Sequence, residues 1–150
     1  MSTIYKISLY SFVVLTIFSA VILGYTIYLT FGVSWATHKI EVSLLDVVIN
    51  ENNETSFLFA VYNPSYIHLD VVLLRARVYY NSNKIAETIV PFGNFSLPSN
   101  TEKTIVVRMR PQSQISSIKG YWAVDLTLYL KAPLLETARI PRLASKQVDV

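Results

Sequence analysis

The chain has 150 residues, a formal charge of +3, 52% hydrophobic residues and no cysteine. Disulfides, Cys-ligated zinc and thiol catalysis are therefore excluded, and the two histidines, His38 and His68, are too few for a histidine-based metal site. Lys6 stands alone near the start. The rest carries 12 basic and 10 acidic residues, far from the clustered basic patch that nucleic acid demands, so no nucleic-acid partner and no cofactor is expected.

Residues 7–29 (ISLYSFVVLTIFSAVILGYTIYL) contain no Asp, Glu, Lys or Arg, and the next charge is Lys39. As a helix, these 23 residues rise about 34 Å, enough to cross a hydrocarbon core of about 30 Å. The run predicts a transmembrane anchor over 7–31, with a short tail over 1–6 before it and a linker over 32–38 after it. A cleaved secretory signal is the competing reading. Its apolar run would be only about 7–15 residues, and the small-residue sites Phe18-Ser19-Ala20 and Ser34-Trp35-Ala36 match a cleavage site poorly. Tyr5 and Tyr10 at one end, and Tyr25, Tyr28 and Trp35 at the other, suit aromatic belts at the two interfaces. Ala20 and Gly24 form a small-xxx-small pair that seats a partner helix or simply faces lipid. A short N-terminus carrying Lys6 predicts a single-pass protein of the cell membrane, N-terminus cytoplasmic and domain outside. The sequons at Asn53 (Asn-Glu-Thr) and Asn94 (Asn-Phe-Ser) are compatible with glycosylation there, chance occurrence being the alternative.

Beyond the anchor the period is two. In 121–130 (YWAVDLTLYL), Trp122, Val124, Leu126, Leu128 and Leu130 share one face, which marks a strand with one buried side. Ile105, Val107 and Met109 repeat the pattern with Arg108 and Arg110 outward. Val72, Leu74, Ala76 and Val78 do so with Arg75 and Arg77 outward. Residues 55–62 (TSFLFAVY) are apolar on both faces, as in a central strand. Over 39–49 the apolar phase moves from Ile40, Val42 and Leu44 to Leu45, Val47 and Ile49, which predicts a bulge. Strands over 84–90 and 134–140 are expected to be short and near an edge, and 112–119 (QSQISSIK) is the one later stretch suited to a short helix. Turn residues at Asn63-Pro64-Ser65, Asn81-Ser82-Asn83, Pro98-Ser99-Asn100 and Ala132-Pro133 punctuate the strands. The predicted fold is all-β: an antiparallel, Ig- or fibronectin-III-like sandwich of about seven strands over 39–141, with a C-terminal tail over 142–150.

The order of these features resembles the LEA-14/WHy family, the type-2 late-embryogenesis-abundant domain also found in archaea. The resemblance runs from Ile40 to Ile140. It rests on an apolar strand ending in Val61-Tyr62-Asn63-Pro64-Ser65, similar to the family's Asn-Pro signature with Ser65 in place of the usual second Asn. A hairpin over 69–90 and a polar turn followed by a strand (Pro98-Ser99-Asn100-Thr101, then 103–109) continue it. The resemblance implies a sandwich without catalytic machinery and an association with desiccation and stress protection.

Read from the residues alone, Asn63 and Pro64 form a structural turn: proline ends the strand and asparagine bonds the nearby backbone. Arg75, Arg77, Arg108 and Arg110 present either a basic interaction face or solvated residues paired across strands, for instance to Glu87 or Asp125. His68 and Asp70 share a strand face but have no oriented nucleophile beside them. Tyr62, Tyr66, Tyr79 and Tyr80 suit an aromatic patch or ordinary strand packing. No catalytic constellation is present, so the chain is expected to be a non-enzymatic, membrane-anchored module. It would act as an accessory or scaffolding subunit at the cell envelope, with the lipid bilayer and a protein, or its own copies, as partners. The alternatives are a filament or pilus-type subunit exchanging sheet edges, with the 141–150 tail as the spare donor, and an anchored stress protectant.

Overall fold

The computed structural model describes residues 3–112, 114–115, 117–132 and 137–149; the side chains of residues 3–5, Tyr5 among them, and of Asn94 lie outside that description. One helix, α1 (Thr3–Lys39), is followed by seven strands: β1 (Glu41–Ile49), β2 (Thr55–Asn63), β3 (Leu69–Tyr80), β4 (Asn83–Leu97), β5 (Thr101–Met109), β6 (Gly120–Lys131) and β7 (Ala138–Val148).

The helix runs through the expected linker without a break, since no proline lies between Phe31 and Lys39. It is the one described helix long and apolar enough to cross a membrane. The threonine hydroxyls of its apolar run are satisfied within the helix. Thr16, Thr26 and Thr30 donate to the carbonyls of Phe12, Ile22 and Thr26 at 2.9, 2.9 and 2.8 Å, so these exposed side chains carry no unpaired donor.

The strands form two antiparallel sheets, β1-β2-β5 and β4-β3-β6-β7, the three-on-four arrangement of a fibronectin-III-like sandwich. The all-β expectation is borne out, with β2 central in its sheet as its two apolar faces imply. Between the sheets lie Phe57, Phe59 and Val61 from β2, Ile105 and Val107 from β5, and Trp122, Val124, Leu126 and Leu128 from β6. Trp122 is fully buried, edge-on to Phe57 at 5.6 Å, with its indole N–H donating to the Ile118 carbonyl at 2.9 Å.

Bulges explain where period two misplaces a side chain. In β1 the register shifts between Leu44 and Asp46, as the phase change predicts; Leu45 is the extra residue and points outward at 44% exposure. A bulge between Val71 and Leu73 in β3 reverses the start of that strand. Val71 is buried and Val72 is 39% exposed, the opposite of the expected inward set.

Three boundaries also differ. β4 is an edge strand as expected, but it extends to Leu97 and pairs with β3 along its whole length, because Pro91 sits where the register breaks and leaves no ladder donor unpaired. The described residues of 112–119 are not helical. Residues 133–136, at the start of the expected last strand, lie outside the described residues, and the final strand runs to Val148 through most of the expected tail. Pro141 is tolerated in β7 because the strand lies at an edge of its sheet. The β3–β4 hairpin turns on Asn81 and Ser82, both with positive φ (47° and 70°), as a tight two-residue hairpin requires.

Candidate functional site: the helix–sandwich junction

The helix does not merely precede the sandwich; its last turns are part of the core. From Lys6 to Tyr28 every residue is exposed. Then Leu29, Gly32, Ala36 and Ile40 are buried and Val33 and Thr37 half-buried, a stripe at three- and four-residue spacing laid along one end of the sandwich. Gly32 forms a notch for Ile67: a Cβ at position 32 would lie 2.6 Å from Ile67 Cγ2. One turn earlier, the Tyr28 and Tyr66 rings pack at 4.6 Å, and the Tyr66 hydroxyl donates to the Tyr28 carbonyl at 2.8 Å. At the other limit, Arg142 of β7 reaches in. Its Nε donates to the Ile40 carbonyl and its Nη2 to the Thr37 carbonyl, both at 2.7 Å, satisfying acceptors at the helix C-terminus and placing a cation at the negative end of its dipole. Beside it, Lys146 donates to the Leu45 carbonyl.

The same end of the sandwich is closed by Asn63. Its side chain is fully buried; Nδ2 lies 3.0 Å from the Ile67 carbonyl and 3.1 Å from those of Leu97 and Pro98. Its Oδ1 accepts from the Ser65 amide at 3.0 Å and the Ser65 hydroxyl at 2.6 Å. Ser65, where the resembling family has a second Asn, thus completes the turn from within.

The four arginines do not share a face. Arg75 and Arg77 lie on β3 and point outward from the four-stranded sheet; Arg108, on β5, points outward from the opposite sheet, with exposed Arg110 just beyond it. Arg75 and Arg77 are compensated. Glu87 Oε1 accepts from Arg75 Nε at 2.7 Å and lies 3.4 Å from Arg77 Nε, Lys84 Nζ is 2.6 Å from Oε2, and Arg77 Nη1 lies 3.5 Å from Asp125. Hydrogen bonds from Lys84 and then Arg75 lower the Glu87 carboxyl to about 2. Arg108 borders a shallow open hollow of about 400 Å³ with Asp46, Val48, Leu58 and Val106.

His68 Nε2 lies 3.2 Å from Asp70 Oδ1 and 3.1 Å from the Ser96 hydroxyl. Both partners meet the same ring nitrogen, whereas a relay needs the acid on one nitrogen and the nucleophile on the other. The tyrosines split between two ends. Tyr62 donates to Asn100 at 2.5 Å and Tyr66 meets the helix, while Tyr80 packs against Trp122 at the far end, donating to the Ser117 carbonyl at 3.2 Å, with Tyr79 beside it on β3. Asn53 lies in the far β1–β2 turn, half-buried, and Thr55 of its sequon is fully buried; Asn94 is in β4, its side chain outside the described residues. Ala20 and Gly24 are exposed on the bare part of the helix, with nothing within 4 Å of a Cβ built on Gly24. Among the described residues, no group of three or more His, Asp or Glu is placed to hold a metal ion.

Sequence reasoning passed over Gly32, Ile67 and Arg142. The legible signal for Arg142 was its phase with Ile140 and Ala144, which puts it on the inward side of β7; for Gly32 it was the spacing of Leu29, Gly32, Ala36 and Ile40.

The chain matches no family model and no curated protein sequence. Its structure is similar to the solution structure of a late embryogenesis abundant (LEA) protein, with TM-score 0.55 at 13% identity over 90% of this chain and 88% of that one. It is also similar to the solution structure of an Arabidopsis thaliana protein, with TM-score 0.55 at 16% identity over 73% and 78% of the two chains. A crystal structure of a protein from Archaeoglobus fulgidus gives TM-score 0.48 at 11% identity, over 75% of this chain and 99% of that one. At such identities the likeness to the two structures with TM-score 0.55 is one of fold alone: a β-sandwich, here packed on the end of a long apolar helix.

Proposed function

We propose that the chain is a single-pass membrane-anchored β-sandwich that works by contact, as an accessory or scaffolding subunit at the cell envelope, with its N-terminus cytoplasmic and its domain outside. The observation that carries this reading is the continuity of α1: an apolar sleeve, bare from Lys6 to Tyr28, passes without a linker into a stripe locked to the sandwich. A block held this way is presented at a set height and angle, which suits a positioned contact partner. His68, Asp70 and Ser96 lack the geometry of a relay, so the chemistry of this end favours contact over turnover. The filament reading loses its donor, because most of the expected tail is already β7, paired with β6 from Leu130↔Ala138 to Gly120↔Val148.

The test uses full-length protein in native membranes. Resistance to alkaline extraction, digestion of the domain only from the outer side, and a defined crosslinked partner after mild-detergent purification are expected. Release by alkali overturns the anchor, digestion only after permeabilisation overturns the orientation, and a ladder of self-crosslinked polymers overturns the accessory role in favour of a filament.

A further inference from the structure

The junction fixes how deep the sandwich sits. Lys6 is the last charge before the sleeve, and a hydrocarbon core of about 30 Å takes about 20 residues of helix. Counted from Ile7, that span ends near Ile27, and a tilt of about 20° moves its end by only about one residue. Tyr28 therefore stands at the boundary between acyl chains and headgroups. Tyr66 is tied to Tyr28 by ring contact and by its hydroxyl, so the tip of the loop over 64–68 is held at the same depth. The remainder of the sandwich meets the helix higher up, at Thr37 and Ile40. Tyr66 is 46% exposed, and the helix at this level shows Tyr25 and Phe31, at 46% and 67%; Trp35, at 51% and with Lys39 over its ring at 5.9 Å, follows about 10 Å higher. Amphipathic rings beside a cation are the side chains that the headgroup layer accepts. His68 and Asp70, directly after the tip, are both half exposed and set a polar limit that keeps the strands above the acyl chains.

We propose that the loop over 64–68 is a membrane-contact loop: Tyr66 lies in the interfacial layer of the bilayer, and lipid is the partner of this end of the sandwich. This rests on the anchor reading, and the test separates the two.

Full-length protein carrying Trp35→Phe and Tyr66→Trp is reconstituted in phosphatidylcholine vesicles with nitroxide lipids labelled near the headgroup or at the acyl centre. Trp122, fully buried in the core, gives the constant background. A blue-shifted emission from position 66, quenched by the shallow label more than by the deep one, is expected. Tyr25→Trp in the same background reports the helix. If position 25 is quenched while position 66 is not, whether its emission is that of a water-exposed or a protein-covered indole, the loop proposal falls and the anchor stands. If neither is quenched, the anchor reading falls too. Should the tryptophan variant fail to fold, a nitroxide on Tyr66→Cys gives the depth independently, on a chain with no native cysteine; lipid-like oxygen accessibility supports the proposal and water-like accessibility overturns it.

Discussion

The Asn63 side-chain amide lies 3.1 Å from the carbonyl of Leu97, and this contact joins the two sheets at the end nearest the helix, since Asn63 closes β2 and Leu97 closes β4. A proline after Asn63 explains only why the strand stops. Holding the turn against the opposite sheet takes a side chain with donor and acceptor together, buried where water cannot substitute. Asn63→Ala strands the carbonyls of Ile67 and Leu97 and the Ser65 amide, and is expected to cost about 2–4 kcal/mol. Urea unfolding followed by Trp122 fluorescence measures it. Asn63→Asp is expected to be at least as harmful, because a carboxylate would face those carbonyls.

Gly32 is expected to resist the most modest substitution. Alanine favours a helix over glycine by about 1 kcal/mol, so Gly32→Ala would stabilise an isolated helix. In this protein its methyl would meet three Ile67 side-chain atoms at 2.6–3.0 Å, including the Cγ2 branch close to the backbone. The helix would be displaced from the loop. Protease sensitivity over 28–40 should rise in Gly32→Ala and return toward the parent in Gly32→Ala/Ile67→Ala. Equal sensitivity in both variants would mean that the notch does not set the docking.

The strands were legible because each half-buried one writes its period into the chain: Trp122 to Leu130, and Ile105 to Met109, fall where alternation puts them. Alternation fails at Val71–Leu73, where one inserted residue flips the face and no turn residue announces it. The last strand was hidden for another reason. Pro141, Arg142 and Lys146 look like a polar tail, yet the proline is on an edge and the two cations turn inward to cap backbone carbonyls of α1 and β1. The turn role of Asn63 could be read locally. Its bond to Leu97, across 34 residues, could not. The grouping of four outward arginines failed because outwardness on each strand says nothing about which sheet the strand joins.

Arg142→Met keeps the aliphatic stem and removes the donors to Thr37 and Ile40. Loss of these bonds, with the cation at the helix C-terminus, is expected to cost about 1–3 kcal/mol of local stability. Amide exchange over the last turn of α1 should quicken, while that of the central strands β2 and β6 should not.

Glu87 sets an acid limit for the outer face of the four-stranded sheet. Its carboxyl is lowered from 4.5 to about 2 by Lys84 and Arg75, so its stabilising contribution is complete above 4.5 and is lost as pH falls toward 2. Glu87→Gln should flatten the fall of stability through that window and leave the slope at higher pH unchanged. Chemical denaturation at a series of pH values reads the difference, and added salt should shrink it.

The unbroken passage from sleeve to stripe also removes any swivel. A domain on a loose tether samples every heading and forgets what the bilayer does beneath it. With the sleeve in a bilayer, as proposed, a change in thickness that leans the helix would lean the whole block by the same angle, and twisting the helix about its axis would sweep the outer sheet faces around with it. In that bilayer, whatever touches those faces would feel the state of the lipid, and a few residues inserted in the bare sleeve before Tyr28, off the helical repeat, would turn the block about the helix axis without disturbing the docked stripe.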